Sequence, residues 1–296
     1  MLFASFRRLG LSFLLLGLMT GCGREPVAPG DPVAAVESLA DAIKDNDLVR
    51  YSKLSLPPKL HAQTEQRWAA ELAQAPALTD TQIKDHARYM KLMMEPGAEA
   101  KLFARYESKL KKFQGEINSQ WPLMQGAAQI FMSGAIQANE DLTADERDHA
   151  KAVGQTILKW LKPAVFGDKQ KAREAIAVIC HTAREVNLPQ AEQMHQLSMI
   201  ASLQKASLGL KALKDIGRIY GANLDESIDN MEAKLVNAGA SGNDATVEVN
   251  YVLLDQDIKF EIEMTRIDGR WYPADSVQDA QQTLKQVLPG AAVSAL

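Results

Sequence analysis

The sequence predicts a mainly α-helical protein of the α+β class: a multi-helix bundle closed by a small C-terminal antiparallel β-hairpin or three-stranded meander and a final helix. Three observations lead there. Apolar residues recur at helical spacing through most of residues 31–240, the period changes to strict alternation after Gly239-Ala240-Ser241-Gly242, and a helical pattern returns after Pro273.

Each element has its own signals. Asp31 is a capping residue and Pro32 suits a first helical position. Val33, Val36, Leu39, Ala40 and Ile43 then share one face until Asp45-Asn46-Asp47 ends the run. A second helix is predicted from Pro57-Pro58 to residue 74 around Leu60, Trp68 and Leu72, and a third after Thr79-Asp80. Residues 96–120 form a fourth, with Leu102, Tyr106, Leu110, Phe113 and Ile117 on its apolar face. Lys101, Arg105, Lys109 and Lys112 make a neighbouring basic stripe. Glu99, Glu107 and Glu116 interrupt its surroundings, and Glu107 stands four residues before Lys111, so the stripe reads as a solvated face.

Residues 122–138 are largely apolar but carry Gln125, Gln129, Ser133 and two glycines, which suits a buried hairpin helix better than a membrane span. Thr143 with Glu146 matches a capping box for a helix that runs to Leu161 and stops before Pro163. Asp168 caps the next, around Ile176, Ile179 and Cys180. Pro189 opens the longest predicted helix, ending near Tyr220, and a shorter one is expected over residues 224–238.

In the last segment Val247, Val249, Tyr251 and Leu253, then Ile258, Phe260, Ile262 and Met264, alternate with polar residues. They form a hairpin through Asp255-Gln256-Asp257. Asp268-Gly269 adds a turn, Arg270-Trp271-Tyr272 a short third strand, and a final helix runs to about residue 288. A lone hairpin is unstable in water, so its apolar face must lie on helices or on a partner.

The N-terminus determines compartment. Arg7 and Arg8 precede an apolar run over residues 9–19 that is short for a permanent span, which is the pattern of an export signal. Leu14-Leu15-Leu16-Gly17-Leu18-Met19-Thr20-Gly21-Cys22 resembles the lipobox of bacterial lipoproteins. Met19 departs from the usual Leu, Val or Ile three residues before the cysteine. The resemblance implies cleavage between Gly21 and Cys22 and acylation, palmitate included, of Cys22. Gly23 stands where an Asp would retain an enterobacterial lipoprotein in the inner membrane, so the resemblance implies the outer membrane, facing the periplasm.

The expected organisation is a signal peptide at residues 1–21 and a lipidated tether at 22–30. A helical domain follows at 31–240, and the β-meander with its helix occupies 241–296, packed on the helical domain. The ends of the folded part, Asp45-Asn46-Asp47 and Ile267-Asp268-Gly269-Arg270-Trp271-Tyr272-Pro273, resemble those of small lipoprotein domains related to the nuclear transport factor 2-like and cystatin-like folds. Some two hundred residues of helical pattern separate the two ends here. No binding residue is carried over.

Composition narrows function. Of 33 basic residues, Arg7 and Arg8 leave with the signal, so 31 face 37 acidic ones and nothing favours nucleic acid as a partner. With Cys22 acylated, Cys180 has no disulfide partner. The five histidines offer no pair at metal-ligand spacing, and Asp141, Asp145, Glu146 and Asp148 cluster at a helix start, where acidic side chains offset the dipole.

The S-x-x-K matches at Ser108 and Ser202 lack their companion motifs, and Gly239-Ala240-Ser241-Gly242 misses the spacing of a nucleophile elbow. No catalytic residue, metal ligand or cofactor is assigned. The candidate interaction surface is Lys101, Arg105, Lys109, Lys112, Trp271 and Tyr272. The expectation is a lipid-anchored envelope protein that binds or scaffolds another envelope or exported protein. One alternative is an immunity lipoprotein against a periplasm-targeted toxin; another is an enzyme whose site converges polar groups such as His181, His195 and Asp215.

Overall fold

The computed structural model describes residues 26–139 and 142–286, except for the side chains of residues 108, 110–118, 164 and 166. Cys22, with the signal peptide and lipidation expected there, lies outside the described residues. Among the described residues the regular structure is helical except for one antiparallel sheet near the C-terminus, followed by a closing helix.

Helix α1 (Pro32–Lys44) is the centre of the fold. The Asp31 carboxylate accepts from the Ala34 N–H, Pro32 occupies the first turn, and Val36, Leu39, Ala40 and Ala42 are fully buried. Its exit is a Schellman motif: Asn46 takes the left-handed conformation while Asp47 N–H donates to Ala42 O and Asn46 N–H to Ile43 O. Asp47 also caps α2 (Leu48–Ser55), a helix that periodicity alone does not reveal. Helices α3 (Pro58–Ala73) and α4 (Asp80–Met94) begin at the expected places, the latter with a Thr79/Gln82 capping box.

Helix α5 (Ala98–Gln137) corrects one expectation. The two helices predicted over 96–120 and 122–138 are a single 40-residue helix with Pro122 inside it. Pro122 is exposed, so the residue 118 carbonyl that it deprives of a partner can be hydrated and the helix continues. Helix α6 (Ala144–Trp160) starts at the Thr143/Glu146 capping box and packs antiparallel on α5. After the short α7 (Pro163–Phe166), α8 (Lys169–Val186) is capped by Asp168.

The long helix expected from Pro189 is broken. A 3₁₀ turn (Ala191–Gln196) precedes α9 (Met199–Ile219), which Ser198 caps, and the Trp68 indole N–H donates to the Leu197 carbonyl at the break, 3.1 Å away. The predicted helix over 224–238 shrinks to α10 (Leu224–Asp229), and β1 (Glu232–Ala238) takes the remainder. Its Ala-Lys-Leu content favours helix, yet pairing with β2 overrides that preference.

Strands β2 (Asp244–Leu253), β3 (Gln256–Ile267) and β4 (Arg270–Pro273) complete a sheet of order β1-β2-β3-β4, and α11 (Ala274–Lys285) follows. The β2–β3 turn is Leu254-Asp255, both with positive φ, not Asp255-Gln256-Asp257; Leu253 pairs with Gln256. Asp268-Gly269 turns β3 into β4 in the same way.

One face of the sheet, bearing Val247, Val249, Phe260, Ile262, Met264 and Trp271, closes over Ala35 and Val36 of α1. Helix α1 contacts both edge strands, β1 and β4, as well as β2, so it crosses the sheet rather than lining one edge. The segment read as a free tether is ordered from Pro26: Ala28 is buried, its carbonyl accepts from Arg270 Nη1 at 2.7 Å, and the Pro29 carbonyl accepts from Trp271 N–H at 3.0 Å.

Lys214 of α9 is 3 % exposed. Its ammonium donates to the carbonyls of Ile43 and Lys44, at 3.2 and 2.8 Å, and pairs with Asp225. A cation under a helix C-terminus answers both its open carbonyls and its dipole. Replacing Lys214 with Ala takes from the Lys44 carbonyl its closest donor and leaves Asp225 with Arg218, 2.8 Å away, as its remaining cation. Urea unfolding of Lys214→Ala is expected to show a loss of about 2 kcal/mol from the lost charge-assisted hydrogen bonds, with a much smaller loss for Lys211→Ala on the exposed side of the same helix.

Candidate functional site

The molecule offers two kinds of candidate: buried polar arrays able to do chemistry, and exposed surfaces able to bind. The first buried array joins α2 to α3. Ser52 Oγ lies 3.0 Å from His61 Nε2, and His61 Nδ1 lies 3.1 Å from a Glu65 carboxylate oxygen, with Ser52 and His61 both buried. The order hydroxyl, imidazole, carboxylate is that of an acyl-transfer triad. Its location is unlike one: Ser52 sits in the body of α2 among packed side chains rather than on a raised strand-to-helix turn. The His61/Glu65 pair has i,i+4 spacing legible in the sequence; its serine belongs to the helix that the sequence pattern did not show.

A second array ties α6 to the sheet. The His149 ring stacks on Phe260, with centroids 4.0 Å apart, and its Nε2 shares a 2.8 Å hydrogen bond with the Tyr251 hydroxyl. Burial pushes the imidazole down to about 4 and the tyrosine hydroxyl up. A neutral His149 is therefore part of the packing.

Of the residues named for a hidden enzyme site, His181 and Asp215 are engaged locally. His181 faces Glu185 on its own helix at 3.5 Å. Asp215 is held between Lys211 and Arg218, each at 2.8 Å, and although desolvation opposes it, these partners bring its carboxyl below the ordinary range. His195 lies on the 3₁₀ turn, with Nε2 buried and unbonded. Cys180 is fully buried, and burial raises its thiol pKa. Among the described residues no group of three or more His, Cys, Asp or Glu side chains is placed to hold a metal ion.

The binding candidates fare unevenly. Trp271 and Tyr272 are 7 % and 1 % exposed and are corrected to core residues. Trp271 lies over α1, whereas Tyr272 faces the opposite side of β4 against Leu56, Leu60, Val277 and Ala280. Consecutive residues of one strand point to opposite faces, and both faces of β4 are covered.

Lys101, Arg105 and Lys109 are exposed; the side chain of Lys112 lies outside the described residues. Lys101 reaches Glu95 at 3.1 Å, and the Lys109 ammonium lies over the Tyr106 ring. Glu99 and Glu107 turn toward α8 instead, where they pair with Arg184 and Lys169, each at 2.7 Å. The Arg184 hydrogen bond holds the Glu99 carboxyl below its ordinary range.

The C-terminal half of α5 is not the buried hairpin helix expected. One side faces α6, with Met132 against Gly154 and Gln125 Nε2 donating to Leu158 O at 2.7 Å. There Gln125, Gln129, Gln155 and Lys159 border a notch of about 270 Å³. The other side leaves Leu123, Ile130 and Phe131 exposed by 78 %, 77 % and 80 %. A further apolar exposure lies on edge strand β1, at Leu235 and Val236, where the register slips between Leu235 and Asn237.

Comparison of the chain with protein-family models, curated proteins and solved structures gives no match.

The depressed His149 pKa has a consequence for stability. Above pH 6.5 the ring is neutral whether folded or unfolded. Below that only the unfolded chain takes up the proton, until the folded ring titrates near 4. Stability is therefore lost as pH falls through this window, by about 2 kcal/mol between pH 7 and pH 5. Urea unfolding at the two pH values checks it: His149→Phe is expected to reduce the difference by that amount.

Proposed function

We propose that this chain is a lipid-anchored envelope protein, held by acyl chains on Cys22 to the periplasmic face of the outer membrane, with a non-catalytic role in binding another envelope or exported protein. The observation that carries the reading is the short distance from the lipobox pattern to fixed structure. Four residues after Cys22 the chain meets Pro26, and Ala28 and Pro29 are hydrogen-bonded to β4. A chain of that length reaches at most about 14 Å. An acylated Cys22 therefore sets the folded body directly on the bilayer and not at the end of a loose leash. Acyl chains at roughly 0.8 kcal/mol per buried CH₂ make such an anchor durable. Edge strand β1 with Leu235 and Val236 offers a partner both backbone and apolar contact, while the Lys234 and Glu232 side chains and the register slip guard it against indiscriminate pairing.

The expected outcome of metabolic palmitate labelling is incorporation into the native chain and none into Cys22→Ser, with the variant leaving the membrane fraction. Crosslinking in intact cells is expected to trap a specific envelope or exported protein on the native chain more than on Cys22→Ser. Label retained by the variant defeats the anchor. An anchored protein that crosslinks to nothing defeats the binding role.

A second reading, acyl-transfer hydrolysis, is favoured by the Ser52–His61–Glu65 geometry alone. It predicts that a fluorophosphonate probe labels the native protein on Ser52 and fails to label Ser52→Ala. Absence of label in the native protein leaves the array as a buried link between α2 and α3.

A further inference from the structure

We propose that the solvent-facing side of α5 is a lipid-docking surface, its basic half on anionic headgroups and its apolar half in the acyl boundary of the bilayer. The proposal rests on the anchor reading for its local concentration and on α5 itself for its chemistry. At about 100° per residue, Lys101, Arg105, Lys109, Leu123, Ala127, Ile130 and Gly134 fall within roughly 80° of one another, with Phe131 beside them. All are exposed. The helix thus presents exposed basic residues over 101–109 and exposed apolar residues over 123–134 at the same angular position.

Charge supports lipid over protein. Residues 117–139 contain no Asp, Glu, Lys or Arg, so the apolar half has no charge to desolvate and no charged rim to match a protein partner. The acidic side chains Glu99 and Glu107 are drawn away to α8, which leaves the outward side basic over residues 101–109; by spacing Lys112 and Glu116 follow on the same side. Half-exposed Trp121 stands between the halves, where an interfacial residue belongs.

No helix among the described residues is long and apolar enough to cross a membrane, and the pattern instead suits a helix lying in the interface. A second copy fits less well along the full length. Antiparallel pairing sets lysines against Leu123 and Phe131, and parallel pairing sets lysines against lysines.

The test uses the full acylated chain in vesicles of phosphatidylethanolamine and phosphatidylglycerol. A nitrobenzoxadiazole fluorophore is placed at Phe131→Cys, or at Gln204→Cys on the exposed side of α9 as control; Cys180 is buried. Acyl-brominated lipids are expected to quench position 131 at least about twofold and to leave position 204 unchanged. Combining Lys101→Glu, Arg105→Glu and Lys109→Glu is expected to lower the ratio of docked to undocked chain by at least about fivefold for each basic residue lost, and high salt to act in the same direction. Equal quenching at both positions, or none at 131, overturns the proposal. So does disulfide pairing between two chains carrying Phe131→Cys without quenching, which assigns the face to a second copy.

The mass of the same sample reads the acyl chains on Cys22. An unacylated chain defeats the anchor reading alone; flotation of that chain with phosphatidylglycerol vesicles still tests α5, and failure to float defeats the docking surface independently.

Discussion

The ammonium of Lys214 beneath the C-terminus of α1 is the interaction on which the arrangement of this protein depends. Helix α1 is buried by the sheet on one side and by α2 and α10 on others, so its last carbonyls have little access to water. The Schellman turn answers some of them and Lys214 answers those of Ile43 and Lys44, while Asp225 balances the cation. Arg218 also pairs with Asp225, so the carboxylate is shared between two cations of α9. The Lys214 contact joins residues 43–44 to residues 214 and 225, and thereby ties the start of the fold to the helices that lead into the sheet.

From that centre the molecule divides its polar interior from its working exterior. Ser52, His61 and Glu65 form a chain whose atoms are well placed for proton transfer, and His149 is held neutral between Phe260 and Tyr251. Both arrays join separate elements of the fold, and both satisfy polar atoms that would otherwise be costly to bury. Geometry that resembles catalysis and geometry that stabilises packing are here the same geometry, and access to a substrate is what separates them.

The exterior is marked by α5. A 40-residue helix is longer than its neighbours can cover, since α4, α8 and α6 take only successive portions of it. What remains uncovered includes basic residues over 101–109 and apolar residues over 123–134. Together with an ordered chain beginning four residues after Cys22, this gives a molecule that can present a defined side to a surface. That is a more specific property than being tethered.

Much of this was legible in the sequence. Most helix starts, the hairpin alternation and the Asp268-Gly269 turn all rest on local chemistry: capping side chains, proline at first turns, period-two apolarity. The basic stripe was legible too, because spacing along one helix is enough to define a face. Other features were decided only by tertiary contacts. Strand β1 is a helix-prone segment captured by β2; the break before α9 is held by an indole from α3; Pro122 survives inside α5 because its face meets solvent. The serine beside His61, the burial of Trp271 and Tyr272, and the outward turn of Leu123, Ile130 and Phe131 belong to the same class. A one-dimensional pattern reports which residues share a face, whereas which face is covered, and by what, depends on neighbours supplied from elsewhere in the chain.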